Sequence, residues 1–158
     1  MKSIPDLCDE YSDQIQVMKP VLHNLGGKKQ FFGRIVTLSC PEDNSKVREQ
    51  LSTKGKGQVL VVDGKASERC AYLGDLLATK AFENGWSGIV INGYIRDVDI
   101  IEKIDIGVQA LGVYPVKTQK GGLGDVNIPI TFAGITFNSG DFLYADNNGI
   151  LVSKIQLT

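Results

Sequence analysis

The chain has 158 residues, 42% of them hydrophobic and 22% charged, which excludes a disordered or fibrous protein and indicates one globular unit. Its 17 lysine and arginine residues nearly balance its 18 aspartate and glutamate residues, so the formal net charge is −1. That balance gives no electrostatic basis for binding nucleic acid or an anionic membrane. We therefore expect a single domain over residues 1–158.

The predicted elements begin with a short helix, and nothing at the N-terminus suggests a targeting segment. Pro5 and Asp6 stand where a signal peptide needs an apolar core, and no apolar stretch approaches the roughly 18–20 residues of a membrane-spanning helix. Cys8, Cys40 and Cys70 cannot all pair within one chain, and their spacing is typical of free thiols in a reducing compartment. We expect a cytoplasmic protein that does not interact with a membrane.

Helical and strand patterns alternate through the first two thirds of the chain. The run QVLVV (58–62) is continuously apolar, as in a strand covered on both faces. Leu76, Leu77 and Ala81 fall at helical spacing before a stop signal at Gly85. In chain order we predict a helix from Ser3 to about Tyr11, a strand over 30–40 with a possible bulge at Gly33, a helix from Asp43 or Asn44 to about Ser52, strands over 58–62 and 68–73, a helix over 75–84, a strand over 88–92, and a short helix over 97–104.

After Gly107 the pattern becomes all-β. Pro129 has no N–H to donate, so its strand must lie at an edge or a bulge, and Asn147-Asn148-Gly149 favours a tight turn between two strands. About four helices are too few to cover both faces of a large sheet, so part of the sheet should pack on sheet. The predicted fold class is mixed α/β, with βαβ connections in the centre and an antiparallel C-terminal part.

The first segment with candidate chemistry is Gly74-Asp75-Leu76-Leu77, at the predicted start of a helix. The first N–H groups of a helix are unpaired, its dipole is positive there, and a glycine lets a ligand approach the backbone. A carboxylate or phosphate could therefore bind. The alternative is a glycine turn with an acidic first-turn residue and no further role.

The second segment is Arg96-Asp97, just past the predicted strand 88–92 and a bend at Gly93. Ligand sites in α/β sheets lie outside the carboxyl ends of strands. Arginine offers a planar fork to a carboxylate or an enolate oxygen, and an adjacent aspartate can hold a hard divalent cation. The alternative is that Asp97 caps the next helix and Arg96 forms a surface ion pair. Together the two segments favour the binding of a small oxo-acid.

Other catalytic signatures are missing from the sequence. No G-x-S-x-G, Walker or G-x-G-x-x-G motif occurs in the required context. The single histidine, His23, cannot form a histidine-based metal site by itself.

The sequence resembles the class II 4-hydroxy-4-methyl-2-oxoglutarate aldolases, which share a fold with the regulator of ribonuclease E activity A. Separate blocks carry the resemblance in order along nearly the whole chain: LCDEY, NLGG, VLVVDG, GDLL, GIVINGYIRDVD, GITF, SGD and LYADNNGI. The resemblance implies a swivelling β/β/α three-layer sandwich that assembles as a homotrimer with sites near subunit boundaries. It also implies that Asp97 holds Mg²⁺ or Mn²⁺, and that Arg96 and the backbone of Gly74–Leu77 bind a pyruvate-like group.

The activity implied by the resemblance is cleavage of 4-hydroxy-4-methyl-2-oxoglutarate to two pyruvates. Oxaloacetate decarboxylation through the same pyruvate enolate is the implied secondary activity. One position departs from the pattern, because the family usually has Arg-Asp-x-x-Glu/Asp and position 100 here is Ile100. Asp99 is one residue early, about 100° around a helix, so we expect it to face elsewhere. Losing an acid that orients metal-bound water costs about 10–100-fold in affinity or activity.

Two alternatives remain open. The first is a non-catalytic regulator that binds and inhibits ribonuclease E, a branch to which LCDEY and YADNNGI are at least as similar. The second is a trimeric enzyme acting on another small oxo-acid. The regulator branch does not need Asp97, and the presence of this residue favours the enzyme.

Overall fold

A computed structural model describes all residues 1–158. Four helices and eleven strands follow one another along the chain, and the longest helix has nine residues, so none could cross a membrane. Their bounds are α1 (Ile4–Glu10), β1 (Ile15–Val17), β2 (His23–Asn24), β3 (Phe31–Ser39), α2 (Ser45–Leu51), β4 (Val59–Asp63), α3 (Asp75–Glu83), β5 (Gly88–Ile95), α4 (Val98–Ile101), β6 (Gly107–Val113), β7 (Asp125–Val126), β8 (Ile130–Phe132), β9 (Ile135–Phe137), β10 (Phe142–Asp146) and β11 (Gly149–Ser153).

Nine strands form one mixed sheet, and β8 and β9 form a separate hairpin. The order in the large sheet is β1-β11-β10-β3-β4-β5-β6-β2, with β7 also paired to β3. Strands β3 to β6 are parallel, whereas β10, β11 and β1 add an antiparallel arm. This arrangement confirms the predicted division into a βαβ centre and an antiparallel C-terminal part.

The parallel strands are buried on both faces. In β4, Leu60 and Val62 belong to a core cluster that includes the apolar faces of α2, α3 and α4. The alternating residues Val59 and Val61 belong to a second cluster with β8, β9 and the antiparallel arm. The run QVLVV is therefore apolar because its strand is covered on both faces, as predicted. The molecule has the expected three layers of β, β and α.

Several element ends confirm the sequence signals. The Ser3 side chain accepts a hydrogen bond from the Asp6 N–H and caps α1. Gly85 has φ +79°, the left-handed conformation that commonly follows a helix. Asn147 and Asn148 form the two-residue connection between β10 and β11, because Asp146 pairs with Gly149. Pro129 lies outside the ladders, immediately before β8.

Two predictions about local structure were wrong. No strand forms over 68–73, because this segment crosses the strand ends and makes only isolated bridges, from Ala71 to Tyr94 and to Lys117. Gly33 is not a bulge; a Cβ there would lie 2.2 Å from the Gly57 carbonyl oxygen, so the residue permits a close backbone approach. The register shift instead falls between Ile91 and Tyr94 in β5.

Two expectations about the helices also need correction. Leu76 is 77% exposed, because the buried face of α3 consists of Leu77, Ala78 and Ala81. The helix predicted over 97–104 is the four-residue α4, and Asp97 precedes it in a left-handed conformation rather than within it.

Candidate functional site

The two segments with candidate chemistry are in direct contact, although they are about twenty residues apart in sequence. The backbone N–H of Arg96 donates to the Leu73 carbonyl oxygen at 2.9 Å. The N–H of Asp75 donates to Oδ2 of Asp97 at 3.0 Å. The carboxyl end of β5 and the N-terminus of α3 therefore form one site.

Asp97 caps α3 rather than the helix that follows it in sequence. Its φ of 57° and ψ of 35° are left-handed, a conformation in which aspartate is enriched among non-glycine residues. Its side chain makes no capping hydrogen bond to α4 and instead meets the Asp75 N–H, while Oδ1 accepts no hydrogen bond from the protein. The structure thus leaves one carboxylate oxygen of Asp97 free for a ligand.

The start of α3 offers two further free donors. The N–H of Ala78 makes the first intrahelical bond, to the Gly74 carbonyl oxygen. The N–H groups of Leu76 and Leu77 have no acceptor in the protein. The Leu77 side chain is in the core and that of Leu76 is exposed, so both contribute only backbone to the site. This geometry suits a carboxylate, because unpaired helix N–H groups and the helix dipole both favour an anion.

Gly74 makes room for the Asp97 carboxylate. A Cβ at position 74 would lie 2.7 Å from Oδ2 of Asp97 and 3.7 Å from Nε of Arg96. The first distance is shorter than a van der Waals contact, so any larger residue must displace the carboxylate.

Gly74→Ala is therefore expected to lower the metal-dependent turnover that the family resemblance implies by about 10-fold or more, because it moves the Asp97 carboxylate. Helix α3 should persist, since the backbone of Gly74 is extended and accessible to alanine. Steady-state assays with thermal unfolding of the same samples provide the measurement. An active Gly74→Ala variant with unchanged metal dependence would show that the carboxylate position is unimportant.

Arg96 is half-buried and makes no ion pair with any acidic residue. Its guanidinium has one protein contact, from Nη1 to the Pro115 carbonyl oxygen at 3.4 Å, which is near the limit of a hydrogen bond. The remaining N–H groups of the fork have no protein acceptor. The alternative of a surface ion pair at Arg96 is therefore wrong for the folded chain.

Arg96 and Asp97 line a cavity of about 540 Å³ at the end of the parallel strands. Asp99 and Ile100 are consecutive residues of α4, and both line this cavity. The offset of about 100° between them therefore does not take Asp99 away from the cavity, and the expectation that it faces elsewhere was wrong. The sequence reasoning also missed Val98, Val113 and Pro115 in the lining. Val113 ends β6 and Pro115 lies two residues beyond it, and neither side chain carries a chemical signal.

Cationic side chains from separate parts of the chain lie near Lys120. Burial, together with the charges of Arg48, Lys117 and Arg96, lowers the pKa of Lys120, and Asp43 opposes this change.

The donor set at Asp97 fits a hard divalent cation bound mainly by water and substrate. Its free Oδ1 and the exposed carboxylate of Asp99 are oxygen donors in one cavity. No group of three His, Cys, Asp or Glu side chains converges to enclose a metal. Mg²⁺ commonly binds through one or two carboxylates while keeping several waters, and this chemistry agrees with the residues present.

The cysteines and the histidine take no part in the site. Cys40 and Cys70 are buried, and burial raises the pKa of the Cys40 thiol to about 12. Burial also raises the pKa of Cys8 and of Cys70, so none of the three favours the reactive thiolate. His23 is exposed on β2.

Sequence comparison identifies the family to which this fold and this site belong. A family model described as RraA-like, Aldolase/RraA, matches residues 4–152. The chain belongs to this family.

Two relatives of this chain share one functional name. A protein of Pseudomonas fluorescens (strain Pf0-1) is 58% identical over 97% of this chain and 94% of its own length. One of Azotobacter vinelandii is 58% identical over 94% of this chain and 92% of its own length. Both bear the provisional name 4-hydroxy-4-methyl-2-oxoglutarate aldolase.

Two solved structures superpose with a TM-score of 0.96. One, from Geobacillus kaustophilus, is described as S-adenosylmethionine:2-dimethylmenaquinone methyltransferase; it is 44% identical, and the match covers 99% of this chain and 97% of that one. The other, from Thermus thermophilis, is described as the RNA-processing inhibitor RraA; it is 39% identical, and the match covers 100% and 96%. One fold thus carries several functional names, so the function of this chain must be argued from its site.

Proposed function

We propose that this protein is a metal-dependent aldolase that cleaves 4-hydroxy-4-methyl-2-oxoglutarate to two pyruvates. The observation that carries the proposal is the shared position of a free Arg96 fork, a free Asp97 oxygen and the unpaired N–H groups at the start of α3. Relatives that are 58% identical bear the name of this activity. Oxaloacetate decarboxylation would be a secondary activity, because it requires the same enolate.

Each group at the site has a task that follows from its chemistry. The N–H groups of Leu76 and Leu77 bind the carboxylate of the oxo-acid and fix its orientation. The Arg96 fork meets the negative charge that develops on the enolate oxygen when the carbon–carbon bond breaks. Oδ2 of Asp97 is held by the Asp75 N–H, so its other oxygen keeps a fixed direction.

Asp97 would hold Mg²⁺ or Mn²⁺, with Asp99 able to hydrogen-bond the metal-bound waters. A divalent cation bound there would polarise the keto group of the substrate. The chain's own groups act around that cation by binding the carboxylate and stabilising the enolate.

The direct test is pyruvate release from 4-hydroxy-4-methyl-2-oxoglutarate and from oxaloacetate, with Mg²⁺ or Mn²⁺ present and absent. We expect rates well above the metal-only background for the first substrate. Rates equal to that background with both substrates and both metals would refute the proposal that this protein is an aldolase. Turnover of another small oxo-acid alone would show that 4-hydroxy-4-methyl-2-oxoglutarate is not its substrate.

A second candidate function is inhibition of ribonuclease E by direct binding. The observation that favours it is the likeness to the Thermus RNA-processing inhibitor, at 39% identity over the full length of this chain. It requires neither the Arg96 fork nor the free Asp97 oxygen. Purified ribonuclease E, assayed with and without the protein, would distinguish the two, because Asp97→Asn should abolish aldolase turnover and leave inhibition intact.

We further propose that the protein forms a homotrimer through apolar side chains beside the site. Leu76, Ile100, Val113 and Val116 are each at least half exposed, and Ile100 and Val113 line the Arg96 cavity itself. Exposed apolar groups clustered at one place are typical of an association surface.

Light scattering at micromolar concentration is expected to give about three times the 17.2 kDa of one chain. Ile100→Lys should shift the mass towards the monomer, because it places a charge among these apolar side chains. Wild-type protein that scatters as a monomer would contradict the trimer and any site shared between subunits.

A further inference from the structure

A second cavity lies on the face of the sheet opposite α2, α3 and α4. It encloses about 290 Å³ between α1, the segment 17–24, β6 and the β10–β11 turn, and shares no lining residue with the Arg96 cavity. Val108 and Ala110 of β6 pack into the helical core, so Gln109 between them points to the opposite face, where it lines this cavity. The cavity is therefore independent of the proposed aldolase site.

Gln109 is a buried carboxamide with almost no partner. It is 3% exposed, its Nε2 reaches only the Asp146 carbonyl oxygen at 3.4 Å, and its Oε1 accepts no hydrogen bond from the protein. Oε1 is not fully enclosed by protein atoms, so it is open to the cavity and can accept a hydrogen bond from a group placed there. Gln109 is the one polar side chain in the otherwise apolar strand GVQALGV, and its carboxamide faces this cavity.

A second amide in the same cavity is also unsatisfied. Asn24 pairs directly with Gln109 across β2 and β6, so the two side chains share one face. Nδ2 of Asn24 donates to the Lys29 carbonyl oxygen and to Oδ1 of Asn147, each at 2.9 Å, whereas its own buried Oδ1 has no partner. This Asn24 oxygen is enclosed by protein atoms, so Oε1 of Gln109 is an acceptor that remains open to the cavity.

The apolar part of the lining suits a ligand with an apolar body. Pro5, Met18 and Leu22 supply apolar wall. The Asp146 carboxylate is already bonded to backbone N–H groups, including that of Ile4 at 2.9 Å, so it needs no cation. The Lys19 stem packs beside Gly134, in the β8–β9 turn.

We propose that this cavity binds a small planar molecule through a carboxamide-type edge, a donor beside an acceptor, that pairs with the carboxamide of Gln109. The ligand's N–H donates to Oε1, and its acceptor takes the free N–H of Nε2. Glutamine recognises the donor–acceptor edge of adenine in this way. The ring of the ligand lies against the apolar wall, and the volume is at the small end for a ligand site, which is usually about 300–1,000 Å³.

The test uses two pairs of probes that differ only in the donor. Benzamide is compared with acetophenone, and adenine with purine, by ligand-observed NMR and calorimetry on the full chain. We expect benzamide or adenine to bind at least about tenfold more tightly than its partner lacking the amino group. Preference for benzamide identifies a free carboxamide, and preference for adenine identifies a nucleobase.

Gln109→Leu removes the carboxamide at similar size and should abolish this preference. Leu22→Trp, which fills the cavity from a half-buried position, is the second variant if Gln109→Leu does not fold. Arg96→Ala should bind the probes as wild type does, so failure here is distinct from failure of the aldolase proposal.

Three results would overturn the proposal. The first is failure of both benzamide and adenine to bind the wild type at millimolar concentration, which would leave water as the only occupant. Acetophenone and purine could bind as tightly as their amino-bearing partners. Finally, Gln109→Leu could retain the full preference.

Discussion

Arg96→Ala is expected to lower kcat/KM for 4-hydroxy-4-methyl-2-oxoglutarate by about 10²–10³-fold, or about 2.7–4 kcal/mol of transition-state stabilisation. Its guanidinium has a single long contact, to Pro115, and no acidic partner, so its donors are available to developing charge. The loss should fall mainly on kcat, because an enolate exists only after the bond begins to break. Pyruvate release under saturating metal provides the measurement.

The control variants separate the effect of the positive charge at position 96 from the effect of the planar guanidinium. Arg96→Lys keeps the charge and should restore little activity, since an ammonium group cannot reproduce the planar fork. Arg34→Ala removes an exposed guanidinium that stacks on Phe142 in the antiparallel arm, and should leave turnover unchanged. Folding should be retained in Arg96→Ala, because the structural hydrogen bond to Leu73 comes from the backbone N–H. Full activity of Arg96→Ala would exclude the enolate role.

Asp97→Asn is expected to abolish metal-dependent turnover while leaving the fold nearly unchanged. An asparagine oxygen can still accept the Asp75 N–H bond and cap α3, and asparagine tolerates the left-handed conformation of this residue. What the substitution removes is the negative charge that binds a cation. Mn²⁺ binding followed by electron paramagnetic resonance should weaken strongly, independently of any activity assay.

Asp97→Ala tests the structural role of the same residue. It removes the cap, worth about 1 kcal/mol, and places alanine at φ 57°, which costs roughly 1–2 kcal/mol more. We therefore expect a lower free energy of unfolding for Asp97→Ala than for Asp97→Asn, with both inactive. Asp105→Asn removes an exposed acid at the far end of the α4 loop and is the matched control. Unchanged Mn²⁺ affinity in Asp97→Asn would show that Asp97 is only a helix cap.

The sequence by itself determined the elements whose signals are local. Ser3 and Pro5 define the start of α1, Gly85 follows the end of α3, and the run QVLVV indicates a strand buried on both faces. Caps, stops and hydrophobic periodicity act between residues a few positions apart, so they can be read without the fold. The same local patterns gave the fold class, because they also gave the order of helices and strands.

The kind of ligand at the site could also be predicted from the sequence, since arginine followed by aspartate after a buried strand suggests anion and metal binding wherever it occurs. The arrangement of these side chains could not be predicted. Asp97 caps a helix that begins twenty-two residues earlier in the chain, and Gly74 is required by the Asp97 carboxylate rather than by its own turn. Both depend on the contact between the end of β5 and the start of α3, which is formed only when the layers pack.

Tertiary structure also decided where single side chains point. Leu76 is exposed, because α3 buries an adjacent face. Asp99 lines the Arg96 cavity together with Ile100, because the cavity extends along α4 past both residues. The pairing of Asn24 with Gln109 brings together residues more than eighty positions apart. Periodicity fixes orientation within one element, whereas register and packing between elements decide which side chains share a cavity.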